Sequence, residues 1–250
     1  MHVMNSEDNF KRPHMTATTQ RKQNATPTAT FTGKTGNSHF PTYQWWKGIL
    51  DRTFAFFAIV ALSPLMAVIT TVIRLDSPGN PIFRQERVGK EGRKFIFYKF
   101  RSMYLDHDDS EYYKAIEKYV RENVNSPPAE NGEVSRRRNS DPRVTRFGRL
   151  LRKTNLDELP QLFNILKGEM SLVGPRPMIP FMVEMYNDHH KKSFIVKPGL
   201  TGLWQASGRK KLTFEEMIQL DIDYITKQSL LLDIKIVLMT IIAVLRGEGS

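Results

Sequence analysis

The chain contains no cysteine, which excludes disulfides, thiolate nucleophiles and cysteine-ligated zinc. Its six histidines, His2, His14, His39, His107, His189 and His190, show no HExxH or comparable ligand spacing. The His189-His190 pair reads as surface residues rather than ligands. No G-x-S-x-G occurs, so the turn on which serine hydrolases mount their nucleophile is missing. Residues 1–44 are rich in Thr, Asn and Lys, with isolated aromatics and no apolar period. They are expected to be disordered, and they lack the apolar core of an export signal. Negative charge is scarce as well: 26 acidic against 37 basic residues leave a formal charge of +11. That excess calls for an anionic partner, which nucleic acid, an anionic membrane surface or phosphorylated substrates would each satisfy.

At 250 residues the chain has room for one sizeable domain and an appendage. Residues 54–73, FAFFAIVALSPLMAVITTVI, are twenty in a row without a charge, long enough to cross a bilayer. Yet Ser63-Pro64 sits at the centre, where proline removes a backbone hydrogen bond and kinks a helix. Both flanks are basic: Lys47 and Arg52 before, then Arg74, Arg84, Arg87, Lys90, Arg93 and Lys94 after. The positive-inside rule places both ends on the cytoplasmic side. A helix that enters, bends at Ser63-Pro64 and returns satisfies both facts, with the serine hydroxyl taking up a backbone group freed by the proline. A soluble binder of nucleic acid gains nothing from such a segment. That reading, argued from the arginine-rich 136–153, is therefore the rival; a non-catalytic membrane scaffold is a second.

Further along, Ile82 to Val88 and Phe95 to Arg101 flank Gly89-Lys90-Glu91-Gly92 and predict a β-hairpin. Alternation puts Lys99 and Arg101 on one face, where they either meet a phosphate or form a solvated edge. Residues 107–142 read as a polar insertion. Inside it Ser110 is a plausible cap for a helix over 110–124 whose face is Tyr113, Ile116, Val120 and Val124, ended by Pro127-Pro128. Arg143, Arg146, Arg149 and Lys153 alternate with Val144, Phe147, Leu150 and Leu151, a basic amphipathic helix suited to an anionic surface.

The stretch from Lys153 to Pro177 carries the adjacent carboxylates Asp157 and Glu158. Thr154 with Asp157 forms a [ST]-x-x-[DE] pattern that predicts a capping box and a helix running to Gly168. Neighbours on a helix point about 100° apart, so one acid could attack while the other holds a cation; as dipole-balancing charges they would have no chemistry. Beyond Pro177 a helix is expected over 179–191, then a glycine-rich loop at 197–209, KPGLTGLWQASGR, whose N–H groups and Arg209 suit a phosphate. A helix from Phe214 and an apolar stretch from Ile234 to Leu245, too short to span, complete the chain.

Taken together these residues resemble the bacterial sugar transferases, also called monotopic phosphoglycosyl transferases. The likeness covers about 47–247. It rests on Lys47, Asp51, Ser63-Pro64, the hairpin ending KFRSM, the string DPRVTRFGRLLRKTNLDELPQLFNILKGEMSLVGPRP, KPGLTGLWQASGR and the LLLDIK segment with Asp233. The resemblance implies that Asp157 is the nucleophile of a two-step transfer of a sugar 1-phosphate from a UDP-sugar to polyprenyl (undecaprenyl) phosphate, with release of UMP. It implies that Glu158 holds Mg²⁺, that Pro175-Arg176-Pro177 holds the nucleotide, that Arg152 and Arg209 lie near phosphates, and that Asp233 is a further acidic site residue. The implied fold is α-rich α+β: a monotopic membrane protein with a re-entrant helix-break-helix anchor hinged at Ser63-Pro64, interfacial amphipathic helices and a small β-hairpin. The implied organisation is a polar extension over 1–44, an anchor over 45–76 and a catalytic domain over 77–250. The protein would then work at the cytoplasmic face of the bacterial inner membrane, with the lipid bilayer and not nucleic acid as partner. The 110–124 helix is a candidate contact for a homodimer. Gly79-Asn80-Pro81 and Ser102 depart mildly from the family pattern, and the polar start marks a small form that carries only the catalytic core.

Overall fold

The computed structural model describes residues 40–104, 110–124, 143–207 and 212–246. The polar extension, most of the 107–142 insertion with Pro127-Pro128, and Arg209 lie outside them.

One helix, α1 (Phe40–Asp76), takes in the whole apolar run and is 37 residues long, about 55 Å at 1.5 Å per residue. Along one stripe Ala55, Ala58, Ile59 and Leu62 pack with Phe97, Leu162, Ile165 and Met170. Farther on, Met66, Ile69 and Ile73 continue that stripe against Phe100 and Leu151. The spacing is that of a single helical face. The other side is apolar and uncovered: Phe54, Phe56, Phe57, Val60, Leu65 and Val68 are exposed. The break expected at Ser63-Pro64 does not interrupt the helix. Ser63 Oγ donates to the Val60 carbonyl at 2.8 Å, the group that Pro64 cannot bond to, so the lost hydrogen bond is replaced locally.

The hairpin forms as the alternation predicts. β1 (Ile82–Val88) and β2 (Lys94–Phe100) pair antiparallel, with Val88 opposite Lys94 and Ile82 opposite Phe100. β2 begins one residue earlier than expected and stops before Arg101. Its outer edge is not solvated. Asn164, fully buried, accepts from Tyr98 N at 3.2 Å and donates to Ile96 O at 2.6 Å, replacing a third strand.

α2 (Ser110–Glu122) turns the expected face inward, with Ile116 buried, Val120 and Val124 packed beside it and Tyr113 edge-on to Phe181 at 5.1 Å, and it buries Tyr112 and Tyr119 as well. These pack with Met182, Tyr186, Phe214 and Ile218, so the helix uses its apolar face within the chain. α3 (Arg146–Lys153) starts where Thr145 accepts from Gly148 N, as the basic amphipathic pattern implied. α4 (Gln161–Lys167) follows, ending on Gly168 in the left-handed region.

β3 (Ser171–Val173) and β4 (Gly199–Thr201) make a short parallel pair that periodicity did not suggest. Between them the helix expected over 179–191 shrinks to α5 (Pro180–Val183), followed by a 3₁₀ segment, His190–Ile195. Asn187 Oδ1 accepts from His190 N at 2.9 Å, a local bond that competes with helix continuation. α6 (Leu203–Ala206) is a single turn inside the glycine-rich stretch. α7 (Phe214–Lys227) opens with a Thr213/Glu216 capping box, and α8 (Leu230–Leu245) is capped by Ser229. α8 buries Ile236 completely, yet leaves Leu231, Ile234, Leu238, Ile241 and Ile242 exposed.

The parallel pair depends on two glycines. A Cβ on Gly199 would lie 2.1 Å from Gly174 N and 2.4 Å from Thr201 O, both backbone atoms with nowhere to retreat. Gly199→Ala should therefore destabilise the fold by about 3 kcal/mol. In thermal unfolding of the purified protein this is a Tm fall of roughly 6–12 °C.

Candidate active site

The carboxylate pair reaches its place by a different local structure from the one its sequence pattern suggests. Thr154 closes α3 instead of opening the next helix: its hydroxyl donates to Leu150 O at 2.8 Å. Asn155 then turns left-handed (φ 55°), and Leu156–Glu158 form one 3₁₀ turn before α4. Asparagine adopts that conformation at little cost, and it re-aims the chain so that Asp157 points inward. Asp157 is 1% exposed, and neither of its oxygens accepts a hydrogen bond among the described residues.

What faces Asp157 is Lys99. The Lys99 ammonium lies 3.5 Å from Asp157 Oδ2 and 3.3 Å from Glu158 Oε1, so one cation serves both carboxylates. Burial lowers the proton affinity of Lys99; Glu158 and Asp157 oppose this, while Arg176 and Arg87 add to it. Two further cations thus share the surroundings of the Lys99 ammonium that holds both acids. Arg176 also lies over the Trp204 ring, 5.8 Å from its centre.

The Pro175-Arg176-Pro177 loop is fixed through its carbonyls. Pro175 O accepts from Gly199 N at 2.8 Å, Pro177 O from Arg87 Nη1 at 3.1 Å, and Met178 O from Val88 N at 2.8 Å. The prolines offer no N–H, so the loop is held from its acceptor side.

The remaining residues expected at the site divide. Arg152 is buried at the end of α3 and donates from Nε to Ser102 Oγ at 3.1 Å, five positions before Asp157. Arg101, expected to share a phosphate-facing surface with Lys99, instead holds the loop after α1: Nη2 donates to Ser77 O and Oγ, and Nη1 to Pro78 O. It lies one residue beyond the strand, where alternation no longer governs direction. Asp233 belongs to a separate buried cluster. It pairs with Lys47 and accepts from Tyr43 and Tyr224 hydroxyls, both at 2.8 Å; Asp51 joins through Lys47 at 3.5 Å and through Ser171 Oγ. That cluster ties the start of α1 to β3, α7 and α8.

Two groups went unnoticed in sequence. Arg87 shares the sheet face of Lys99, which the hairpin register could have revealed. Asp221, on α7, is 1% exposed and accepts no hydrogen bond among the described residues. Burial raises its proton affinity well above the usual carboxylate range, with Arg176 pulling the other way. The helical period could have singled it out, because Asp221 falls on the face of Phe214, Met217, Ile218, Tyr224 and Ile225.

No group of three or more acidic or histidine side chains is arranged to hold a metal among the described residues. The donor set here is Asp157 and Glu158 alone. A hard divalent cation such as Mg²⁺ is commonly held by one or two carboxylates, with substrate phosphates and water completing the shell. The pair fits that requirement.

Known proteins bear on this arrangement. The family model for bacterial sugar transferases matches residues 42–247. The galactosyl transferase CpsE of Streptococcus agalactiae serotype III is 41% identical over 82% of this chain and 43% of its own length. ExoY, an exopolysaccharide production protein of Sinorhizobium fredii, is 38% identical over 81% of this chain and 88% of its own. The UDP-glucose:undecaprenyl-phosphate glucose-1-phosphate transferase of Xanthomonas campestris is 38% identical over 80% of this chain and 38% of its own. The chain thus spans about two fifths of the first and third of these relatives and most of the second. The matched segment takes in nearly all of α1, the hairpin, the carboxylate turn, the Pro175-Arg176-Pro177 loop and the glycine-rich stretch, so this chain belongs to the bacterial sugar transferase family.

Proposed function

We propose that this chain transfers a sugar 1-phosphate from a UDP-sugar to polyprenyl (undecaprenyl) phosphate, giving polyprenyl diphosphate-sugar and UMP, an early membrane step in making a surface polysaccharide or glycoconjugate. The observation that carries it is Asp157: a buried carboxylate whose oxygens accept no hydrogen bond among the described residues, set beside Glu158 and the Lys99 ammonium, with Arg176 and Arg87 near enough to Lys99 to act on its charge. The relatives' names support the reaction class, since one states a UDP-sugar donor and an undecaprenyl-phosphate acceptor.

In the first displacement an Asp157 oxygen attacks the sugar-bearing phosphorus. The bond from that phosphorus to the bridging oxygen breaks, and UMP departs with the electron pair. In the second, an oxygen of the polyprenyl phosphate attacks the same phosphorus and Asp157 leaves as carboxylate, so a group that can both attack and depart is required. Lys99 and Arg176 lie where charge on the phosphoryl oxygens needs stabilising. Glu158 would hold Mg²⁺ together with substrate phosphate oxygens, supplying further charge neutralisation. Arg152, at the end of α3, precedes the carboxylate turn in the chain, Arg209 belongs to the glycine-rich loop, and Asp233 acts by fixing α1.

The anchor follows from α1. It is the one described helix long and apolar enough to cross a membrane, and only 17% of that window is buried, unlike a core helix. Lys47 and Asp51 at its start and Ile69 and Ile73 toward its end are all buried against the same body. In this reading both ends stay on one side, the face that the positive-inside rule makes cytoplasmic, while the uncovered side of the unbroken helix, with Ser63 and Pro64, lies in lipid. A lipid phosphate at the headgroup level then meets the site without being extracted.

Asp157→Asn should abolish UMP release across a panel of UDP-sugars supplied with undecaprenyl phosphate and Mg²⁺. Donor alone should add a phosphosugar mass to the wild-type protein and none to the mutant; normal turnover without any trapped adduct would remove Asp157 from this role. The lowered proton affinity of Lys99 means that its charge is lost, as pH rises, before the ordinary lysine value of 10.5. Activity should accordingly fall on the alkaline side below that value. Lys99→Arg should carry the limb to higher pH, because a guanidinium stays charged; an unmoved limb assigns it to another group. Single cysteines at Trp46 and Leu75, both exposed in a cysteine-free chain, should label from the same side of sealed vesicles. Labelling from opposite sides would overturn the monotopic reading.

A further inference from the structure

Arg87 is a buried cation whose partners in the chain do not account for it. It is 5% exposed, and among the described residues its side chain makes one hydrogen bond, from Nη1 to Pro177 O at 3.1 Å. A guanidinium carries five donors in a planar fork, and Nε is buried without a partner. Among the described residues no carboxylate lies within ion-pair distance of it. An arginine buried this way is costly unless an anion completes it.

Its position says where that anion sits. In the hairpin register Arg87 is opposite Phe95, and Lys99 opposite Phe83. Paired residues and every second residue share a face, so Arg87, Phe97 and Lys99 line one side of the sheet. Arg87 Cζ is 5.2 Å from the centre of the Phe97 ring and the Lys99 ammonium is 5.9 Å from it. The two cations thus flank a single aromatic ring, and Lys99 in turn contacts Asp157 and Glu158. Arg87, Lys99 and Arg176 against Asp157 and Glu158 leave one positive charge in a buried space, and a ligand with two or more negative charges would reverse that excess.

We infer that the unused side of the Arg87 guanidinium binds a phosphate oxygen of the donor's diphosphate, while its other side anchors the Pro177 carbonyl. Arg87 is then a substrate-binding residue that couples the hairpin, the Pro175-Arg176-Pro177 loop and the ligand. The inference rests on the transfer reaction proposed above, and it names the group that grips the diphosphate.

The test uses the full chain in detergent micelles with inorganic pyrophosphate as probe and EDTA present, so that binding is read apart from turnover. Pyrophosphate should raise the Tm of the wild type. Arg87→Met should bind it at least tenfold more weakly. Arg87→Lys keeps one donor for Pro177 O but loses the fork, and should also bind several-fold more weakly. Under turnover, Arg87→Lys should raise KM for the UDP-sugar more than it lowers kcat. Wild-type pyrophosphate affinity in Arg87→Met, or in Arg87→Lys alone, would overturn the inference; the latter would reduce Arg87 to a loop anchor. Asp157→Asn separates the two proposals, because it should retain pyrophosphate binding while losing UMP release. Should the wild type release no UMP from any donor, the reaction fails while the anion site stands or falls by the Tm series.

Discussion

The ammonium of Lys99 is the counter-charge on which the site depends. Asp157 lies where water cannot reach it, and an isolated carboxylate is not kept charged in such a place. Lys99 at 3.5 Å from it, and 3.3 Å from Glu158, compensates both acids with one cation. Removing one partner of a buried pair costs about 3–5 kcal/mol, because the other is stranded. Lys99 can be placed there because β2 carries it inward and Asn164 closes the outer edge of the same strand. The strand, the 3₁₀ turn and α4 are thus fixed relative to one another by polar bonds that an apolar interface alone would not specify.

A second set of constraints holds the loop that faces this pair. Gly174 and Gly199 approach closely enough that neither tolerates a Cβ, which lets β4 lie directly under the Pro175-Arg176-Pro177 turn. Two carbonyls of that turn accept from Gly199 N and Arg87, and that of Met178 just after it accepts from Val88 N. A loop pinned at three acceptors gives up little further entropy when a ligand arrives, the usual basis of preorganised binding.

The long helix is fixed by polar bonds at its start and apolar packing along its stripe. The Lys47–Asp233–Asp51 cluster, with Tyr43, Tyr224 and Ser171, locks the beginning of α1 to β3, α7 and α8. The stripe from Ala55 to Ile73 does the rest. An apolar face as wide as the one left over would be an aggregation hazard in water; under the proposed function it is the part that meets a bilayer. The exposed side of α8 adds to the same apolar surface character.

Patterns with a period were readable from the residues alone: the twenty-residue apolar run, the Lys99 alternation of the hairpin, the basic helix after Thr145, and the adjacency of Asp157 and Glu158. The family likeness drawn from the LDEL and GPRP strings was readable in the same way, since it needs only order along the chain. The features that failed to read were decided by contacts distant in sequence. Thr154 and Asp157 match a capping box, yet Thr154 closes α3, because Asn155 turns left-handed and local pattern does not register the turn. Alternation placed Arg101 beside Lys99, but the strand ends first and the carbonyls of Ser77 and Pro78 claim it. Asp233, which the family likeness implied as a further site acid, is paired with Lys47, far away along the chain, a contact that local pattern does not register. Sequence determined which chemistry was affordable here: two carboxylates, basic partners and a membrane-sized apolar helix. Only tertiary structure decided which cation meets which acid, since burial and pairing arise when β1, β2, the carboxylate turn and the proline loop close on one another.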